Sequence, residues 1–278
     1  MYNMISISAF VAEGDDEMEI YMKVVLLAGG AGMRISEESA YRPKPMIEIG
    51  GRPILWHIMK EYSYYGFHEF IICAGYKQEY IKEWFADYFL YTSDVTFDYE
   101  NDGKMTIHKG VTEPWKVTVA DTGRKTMTGG RIKRIEPYLN GETFMVTYGD
   151  GVCDVNIKDL LAFHKEHGRI ATLTSVIRKQ EKGVLDISEI GAVRAFREKK
   201  NNDGIPINAG YMVFEPAIFN YLKDDTTILE AEPMDRLAAS GELMSYRHNG
   251  FWQCMDTLLE KNILEKLWEK EKAPWKKW

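Results

Sequence analysis

Two segments of this chain concentrate groups able to handle phosphate. The first is Leu27-Ala28-Gly29-Gly30-Ala31-Gly32-Met33-Arg34, followed by Arg42-Pro43-Lys44-Pro45-Met46. Glycines directly after a strand let backbone amides approach a ligand with no Cβ in the way. Successive amides in such a turn form a concave anion site. Arg34 and Lys44 add two cations, suited to the charge that gathers on phosphoryl oxygens during attack at an α-phosphate. Glycine-rich strand ends also occur as plain turns, but the arginine and the Pro-Lys-Pro run favour phosphate. Two rival loops fail: there is no GxxxxGK[ST] run, and Ile35 stands where a GxGxxG fingerprint needs its third glycine.

The second segment is Tyr148-Gly149-Asp150-Gly151. A carboxylate closing a central strand projects at the carboxyl edge of the sheet, where α/β proteins bind ligands. Beside a triphosphate it suits Mg²⁺, which prefers carboxylate and phosphate oxygens. Asp-Gly is also a frequent turn pair, so a partner matters, and Asp256 in Trp252-Gln253-Cys254-Met255-Asp256-Thr257 is the candidate. Two weaker segments follow. Arg197-Glu198-Lys199 offers a lysine for an acceptor phosphate and a carboxylate for sugar hydroxyls, although a lysine-rich run is commonly a solvated surface. Thr128-Gly129-Gly130-Arg131 suits base and phosphate contacts, and a hairpin turn explains it equally well. The histidines show no HExxH or paired ligand spacing; His57 and His164 read as packed or solvated helix residues.

The elements that must position these groups alternate. Val24 to Ala28 is a continuous apolar run, as expected for a strand covered on both faces. Pro53 to Tyr65 reads as a helix with Ile54, Ile58 and Tyr62 on one face. A strand over Phe70–Ala74 and a helix around Glu79 to Phe89 follow. Val95 to His108 and Val117 to Ala120 look like shorter strands joined by polar turns. Thr143 to Tyr148 is a central strand, Ile157 to His167 a helix and Ala171 to Val176 a strand. This alternation implies a parallel sheet with helices on both sides. Beyond it, Ala192–Arg197 and Ala209–Phe214 read as strands, Glu215-Pro216 starts a helix, and Leu258 to Glu271 is a long amphipathic helix. The expected organisation is an N-terminal extension over 1–21 and one α/β domain over 22–278 with a small C-terminal elaboration.

Composition narrows the class. The chain has 278 residues and a formal net charge of -7, from 42 acidic and 35 basic residues, which argues against a general nucleic-acid binder. Three scattered cysteines without CxxC spacing favour reduced thiols in the cytosol over a disulfide framework. No apolar run approaches the ~18–20 residues of a membrane span, and the acidic N-terminus makes a poor signal peptide. The C-terminal tryptophans Trp268, Trp275 and Trp278 read as core or interface packing.

From Met22 to Trp278 the motifs LAGGAGMR, RPKPMIEIGGRPILWHIM, SDVTF, EPWKVTVADTG, MTGGRIKRI, TYGDGV, GFWQCMDT and KAPWKKW resemble glucose-1-phosphate cytidylyltransferases among the sugar nucleotidyltransferases. The resemblance implies the nucleotide-diphospho-sugar transferase fold, a Rossmann-like, mostly parallel mixed sheet. It implies CTP and α-D-glucose 1-phosphate as substrates, CDP-glucose and pyrophosphate as products, Mg²⁺ as cofactor, and a homo-oligomer, often a hexamer. By motif position, Leu27 to Arg34 would surround the triphosphate and Lys44 would bind phosphate. Thr128, Gly129 and Arg131 would contact the nucleotide, and Asp150 and Asp256 would hold the metal. Tyr148, Gly183, Glu198, Lys199 and Asn208 would meet the sugar phosphate. The chain departs from the family pattern at Arg42, at Lys200 and across Arg178-Lys179-Gln180-Glu181-Lys182.

Overall fold

Val24, Leu26 and Ala28 pack on one side of the first strand and Val25 and Leu27 on the other, and all five are buried. The continuous apolar run is therefore a strand with both faces covered, as its composition requires. The computed structural model describes residues 22–30, 32–110, 112–179, 184–187, 192–197 and 204–278. Seven strands form its main sheet: β1 (Lys23–Ala28), β2 (Glu69–Ala74), β3 (Lys116–Asp121), β4 (Phe144–Tyr148), β5 (Ala171–Lys179), β6 (Gly204–Phe214) and β7 (Leu243–His248). Their order is β7-β5-β6-β4-β1-β2-β3. Only β6 runs against its neighbours, pairing antiparallel with both β5 and β4. The other four pairings are parallel.

The helices divide between the two faces. α1 (Ile54–Tyr64) buries Ile54, Leu55, Ile58, Met59 and Tyr62 on the face of Val24 and Leu26, and Leu160 and Leu161 of α3 (Ile157–His167) join the same core. α2 (Thr128–Arg134) sets Ile132, and α4 (Glu232–Ala239) sets Leu237, on the face of Val25 and Leu27. The tail closes over α1: Trp275 is buried and its indole N–H donates to His57 Nδ1 at 3.4 Å, while His57 Nε2 meets the Ile49 carbonyl at 2.8 Å. Burial pushes His57 down to about 4, so it is a neutral packing residue. The three cysteines are unpaired, as their spacing suggests.

Several local expectations change. The helix expected over 79–89 is two, Gln78–Ala86 and Tyr88–Thr92. The shorter strands expected over 95–108 do form, as a hairpin of Ser93–Asp98 with Lys104–Gly110, but outside the main sheet. Val117–Ala120 belongs instead to β3, the sheet edge. The helix starting at Glu215-Pro216 is a 3-10 helix, Pro216–Tyr221. Thr128-Gly129-Gly130-Arg131 is not a hairpin turn but the start of α2. β7 and α4 carry no pattern strong enough to anticipate.

One cap reaches the site. In α5 (Leu258–Glu269), Thr257 is the N-cap: its hydroxyl accepts from the Glu260 amide at 3.3 Å. Glu260 Oε2 in return accepts from the amides of Thr257, at 2.9 Å, and of Asp256, at 2.8 Å. The cap thus fixes the backbone of an expected metal ligand. Thr257→Ala is expected to cost about 1 kcal/mol of stability, measured as a lowered midpoint in urea; an unchanged midpoint removes the cap from the account of this loop.

Candidate active site

β1 and β4 lie side by side, so the loops after Ala28 and Tyr148 leave the same edge of the sheet together. The Gly149 amide donates to the Leu27 carbonyl at 3.0 Å and locks one loop to the other. Between them opens a cavity of about 370 Å³. Its lining joins the charged side chains of Arg34, Lys44, Arg131 and Asp150 to the uncharged Leu27, Thr126 and Met127. A second cavity of about 270 Å³ adjoins it, sharing Arg34, Tyr148 and Asp150 and adding Asn208, Trp252 and Asp256. The pair suits a nucleoside triphosphate beside a second, smaller polar ligand.

At the junction, Asp150 and Asp256 converge on one cation. Lys44 Nζ donates to Asp150 Oδ2 at 2.6 Å and to Asp256 Oδ1 at 2.5 Å. Arg34 reaches Asp256 Oδ2 at 2.8 Å. Burial alone would lower the Lys44 ammonium, but the two carboxylates outweigh it and its pKa is raised. Partial burial would raise Asp256; the hydrogen bond and charge of Lys44, with Arg34 behind it, hold it below the ordinary carboxylate range. Lys44 is charged and Asp256 ionised at neutral pH. The sequence reading pointed Arg34 and Lys44 at phosphate; here both meet acids, so their charge is already committed to the centre that phosphates approach. The donor set is carboxylate oxygen gathered around a positive charge, which fits a hard divalent cation.

Arg131, expected at the nucleotide, lines the larger cavity and also braces the loops. Its buried guanidinium donates to the carbonyls of Gly29 at 3.0 Å and Gly123 at 2.8 Å and to Thr122 Oγ1 at 2.7 Å. The backbone at Gly29 passes so close that a Cβ there would lie 2.1 Å from this guanidinium. Glycine is required at that position by the brace. Thr128 lines the larger cavity, but its hydroxyl donates to Glu230. Asn208 lines the smaller cavity, where its Oδ1 accepts from the Gly210 amide at 2.8 Å. Ala31, Gly183, Glu198 and Lys199 lie outside the described residues, and the side chain of Met33 with them. Sequence reasoning missed Trp252, Arg178 and Glu230. Trp252 stands inside the segment read for Asp256 alone, Arg178 inside a segment noted only for its charge, and Glu230 follows no pattern.

A family model described as nucleotidyl transferase matches residues 23–253. The chain belongs to the nucleotidyl transferase family. Within the family it is 54% identical over 258 residues to a glucose-1-phosphate cytidylyltransferase of Salmonella typhimurium, covering 92% of this chain and 100% of that one. It is 45% identical over 260 residues to a probable glucose-1-phosphate cytidylyltransferase of Bacillus subtilis, again covering 92% and 100%. Among solved structures, HddC of Yersinia pseudotuberculosis complexed with GMP-PN superposes with a TM-score of 0.65 at 21% identity, covering 89% of this chain and 99% of that one. UTP-bound UGPase of Acinetobacter baumannii gives 0.65 at 17% identity, covering 90% and 94%. These two likenesses concern the fold, a mostly parallel mixed sheet flanked by helices, in agreement with the sequence reading.

Proposed function

We propose that this chain transfers CMP from CTP to α-D-glucose 1-phosphate, forming CDP-glucose and pyrophosphate. The observation that carries the reading is the convergence of Arg34, Lys44, Asp150 and Asp256 where two cavities meet. Identity of 54% over the whole of a glucose-1-phosphate cytidylyltransferase names the substrates. An oxygen of the sugar phosphate attacks the α-phosphorus of CTP, and the bond to the β,γ-pyrophosphate breaks. No protein nucleophile is needed. Cys254, the thiol closest to the acids, is held protonated by burial and neighbouring carboxylates, which lift it to about 12. The protein orients both substrates and balances charge.

Asp150 and Asp256 would hold Mg²⁺, which when bound neutralises phosphate charge at the reacting centre. The glycine loop receives the phosphates of CTP, and Arg34 and Lys44 compensate the charge of departing pyrophosphate. Tyr148, Asn208 and Trp252 wall the acceptor side, with Gly183, Glu198 and Lys199 as its remaining contacts. Residues 22–278 act as one catalytic unit preceded by an extension, in the cytoplasm, and the product serves CDP-linked deoxysugar and surface polysaccharide synthesis. Among the described residues no helix is long and apolar enough to cross a membrane. The chain forms a homo-oligomer, and the exposed Phe97, Met105 and Ile107 of its hairpin offer an apolar surface for it.

The test is pyrophosphate release measured with CTP, UTP, dTTP and GTP against glucose, mannose and galactose 1-phosphates. CTP with glucose 1-phosphate is expected to give the highest kcat/KM. Preference for another triphosphate, or none, overturns the assignment.

A further inference from the structure

The loop after Tyr221 lies against the start of α2 and cannot shift freely. The Met127 amide donates to the Asp225 carbonyl at 2.8 Å, and the Gly130 amide to that of Thr227 at 3.1 Å. A Cβ on Gly130 would stand 2.6 Å from Asp225 Cα, so two glycines let the backbones touch. Leu229, fully buried, pins the loop, and its amide donates to Thr128 Oγ1 at 2.9 Å. The next residue, Glu230, is exposed and held in place by this docking.

Its carboxylate spans two residues that line the larger cavity. Glu230 Oε2 accepts from Thr128 Oγ1 at 2.6 Å, and Oε1 accepts from the Tyr148 hydroxyl. Each hydroxyl has one proton, and both are spent on Glu230. The hydroxyls expected at the nucleotide (Thr128) and at the sugar phosphate (Tyr148) orient a carboxylate, whose remaining lone pairs are free to accept. A negative group at a triphosphate site would repel the ligand unless it stood away from the phosphates and met N–H or O–H donors. Thr128 lines the larger cavity together with its chain neighbours Met127 and Thr126. These uncharged side chains suit a base better than phosphates.

We propose that Glu230 reads the base, accepting a hydrogen bond from an exocyclic amino group of the kind that cytosine carries and uracil replaces with a carbonyl. A carboxylate accepts from the cytosine amine and confronts the uracil oxygen with a second acceptor. The inference rests on CTP being the donor substrate and adds the residue that selects it.

The experiment compares kcat/KM for CTP, dCTP and UTP, at saturating glucose 1-phosphate, in wild type, Glu230→Gln and Glu230→Ala, with melting temperatures alongside. Glutamine keeps one oxygen to accept from one of the two hydroxyls, the other hydroxyl can rotate to accept from the new NH2, and the second N–H can meet the uracil carbonyl. The CTP:UTP ratio is expected to fall about 10- to 100-fold in Glu230→Gln and to fall in Glu230→Ala too, with the Glu230→Gln melting temperature near wild type. Equal losses with CTP and UTP overturn the inference and leave Glu230 as a loop brace. A change confined to CTP against dCTP overturns it in favour of ribose contact. A wild type that uses UTP as well as CTP overturns the CTP reading itself, which the variants' ratios do not address.

Discussion

Asparagine at either Asp150 or Asp256 is expected to lower turnover by about 10²-fold or more, while the protein stays folded. The two carboxylates face one another across the Lys44 ammonium, so each loses a full charge from the same point when neutralised. Asparagine keeps the size of the side chain and its carbonyl can still accept from Lys44, which limits the structural damage. What it removes is an anionic ligand for a hard cation. The apparent affinity for Mg²⁺ should therefore fall together with turnover, and raising the metal concentration should recover part of the rate. Steady-state kinetics across a Mg²⁺ titration, with circular dichroism as the folding control, decide the matter. Near-native turnover in both variants would remove the metal assignment.

The second large effect concerns Arg34. Its side chain is 74% exposed and pairs with Asp256, so truncation should leave the melting temperature nearly unchanged. Pyrophosphate gathers negative charge as it departs, and a guanidinium beside it matters more then than in the ground state. Arg34→Ala is accordingly expected to lower kcat by about 10²-fold as well as to weaken CTP. Arg34→Lys should recover only part, because a compact ammonium cannot place two parallel donors on two phosphate oxygens. A variant that melts early yet turns over normally when folded would make the arginine a scaffold residue.

How much of this was readable depended on the range of the interactions involved. β1 was legible because a strand buried on both faces must be apolar throughout, and that is a local property. The start of α2 was not, since Gly129 and Gly130 lower helix propensity and look like a turn. They are glycines for a reason outside the segment, the close passage of the loop at Asp225 and Thr227. Asp150 stood out at its strand end, and Asp256 as a partner was only a candidate, because nothing local fixes where a loop far along the chain returns. Lys44 and Arg34 were picked for their charge, and their acid partners lay beyond what spacing shows. Arg131 was given to the nucleotide for its guanidinium, and its donors also hold the ends of β1, β2 and β3 together through Gly29, Ala74 and Gly123, a task that leaves no trace in sequence order. Glu230 was missed because an acid in a polar loop is ordinary until Thr128 and Tyr148 are seen to point at it.

Lys44 gives the two acids a tethered counterion. Without it, paired carboxylates facing an empty centre would repel each other and draw in solvent ions indiscriminately. With it, the resting centre is close to electrically balanced and keeps its shape between turnovers. A metal–triphosphate complex would find two acids already facing inward, and the flexible stem of the lysine would allow its ammonium to turn from the carboxylates toward the phosphates. The same charge is thus available twice, first as a placeholder and then as a guide. The centre need not be assembled by its substrate.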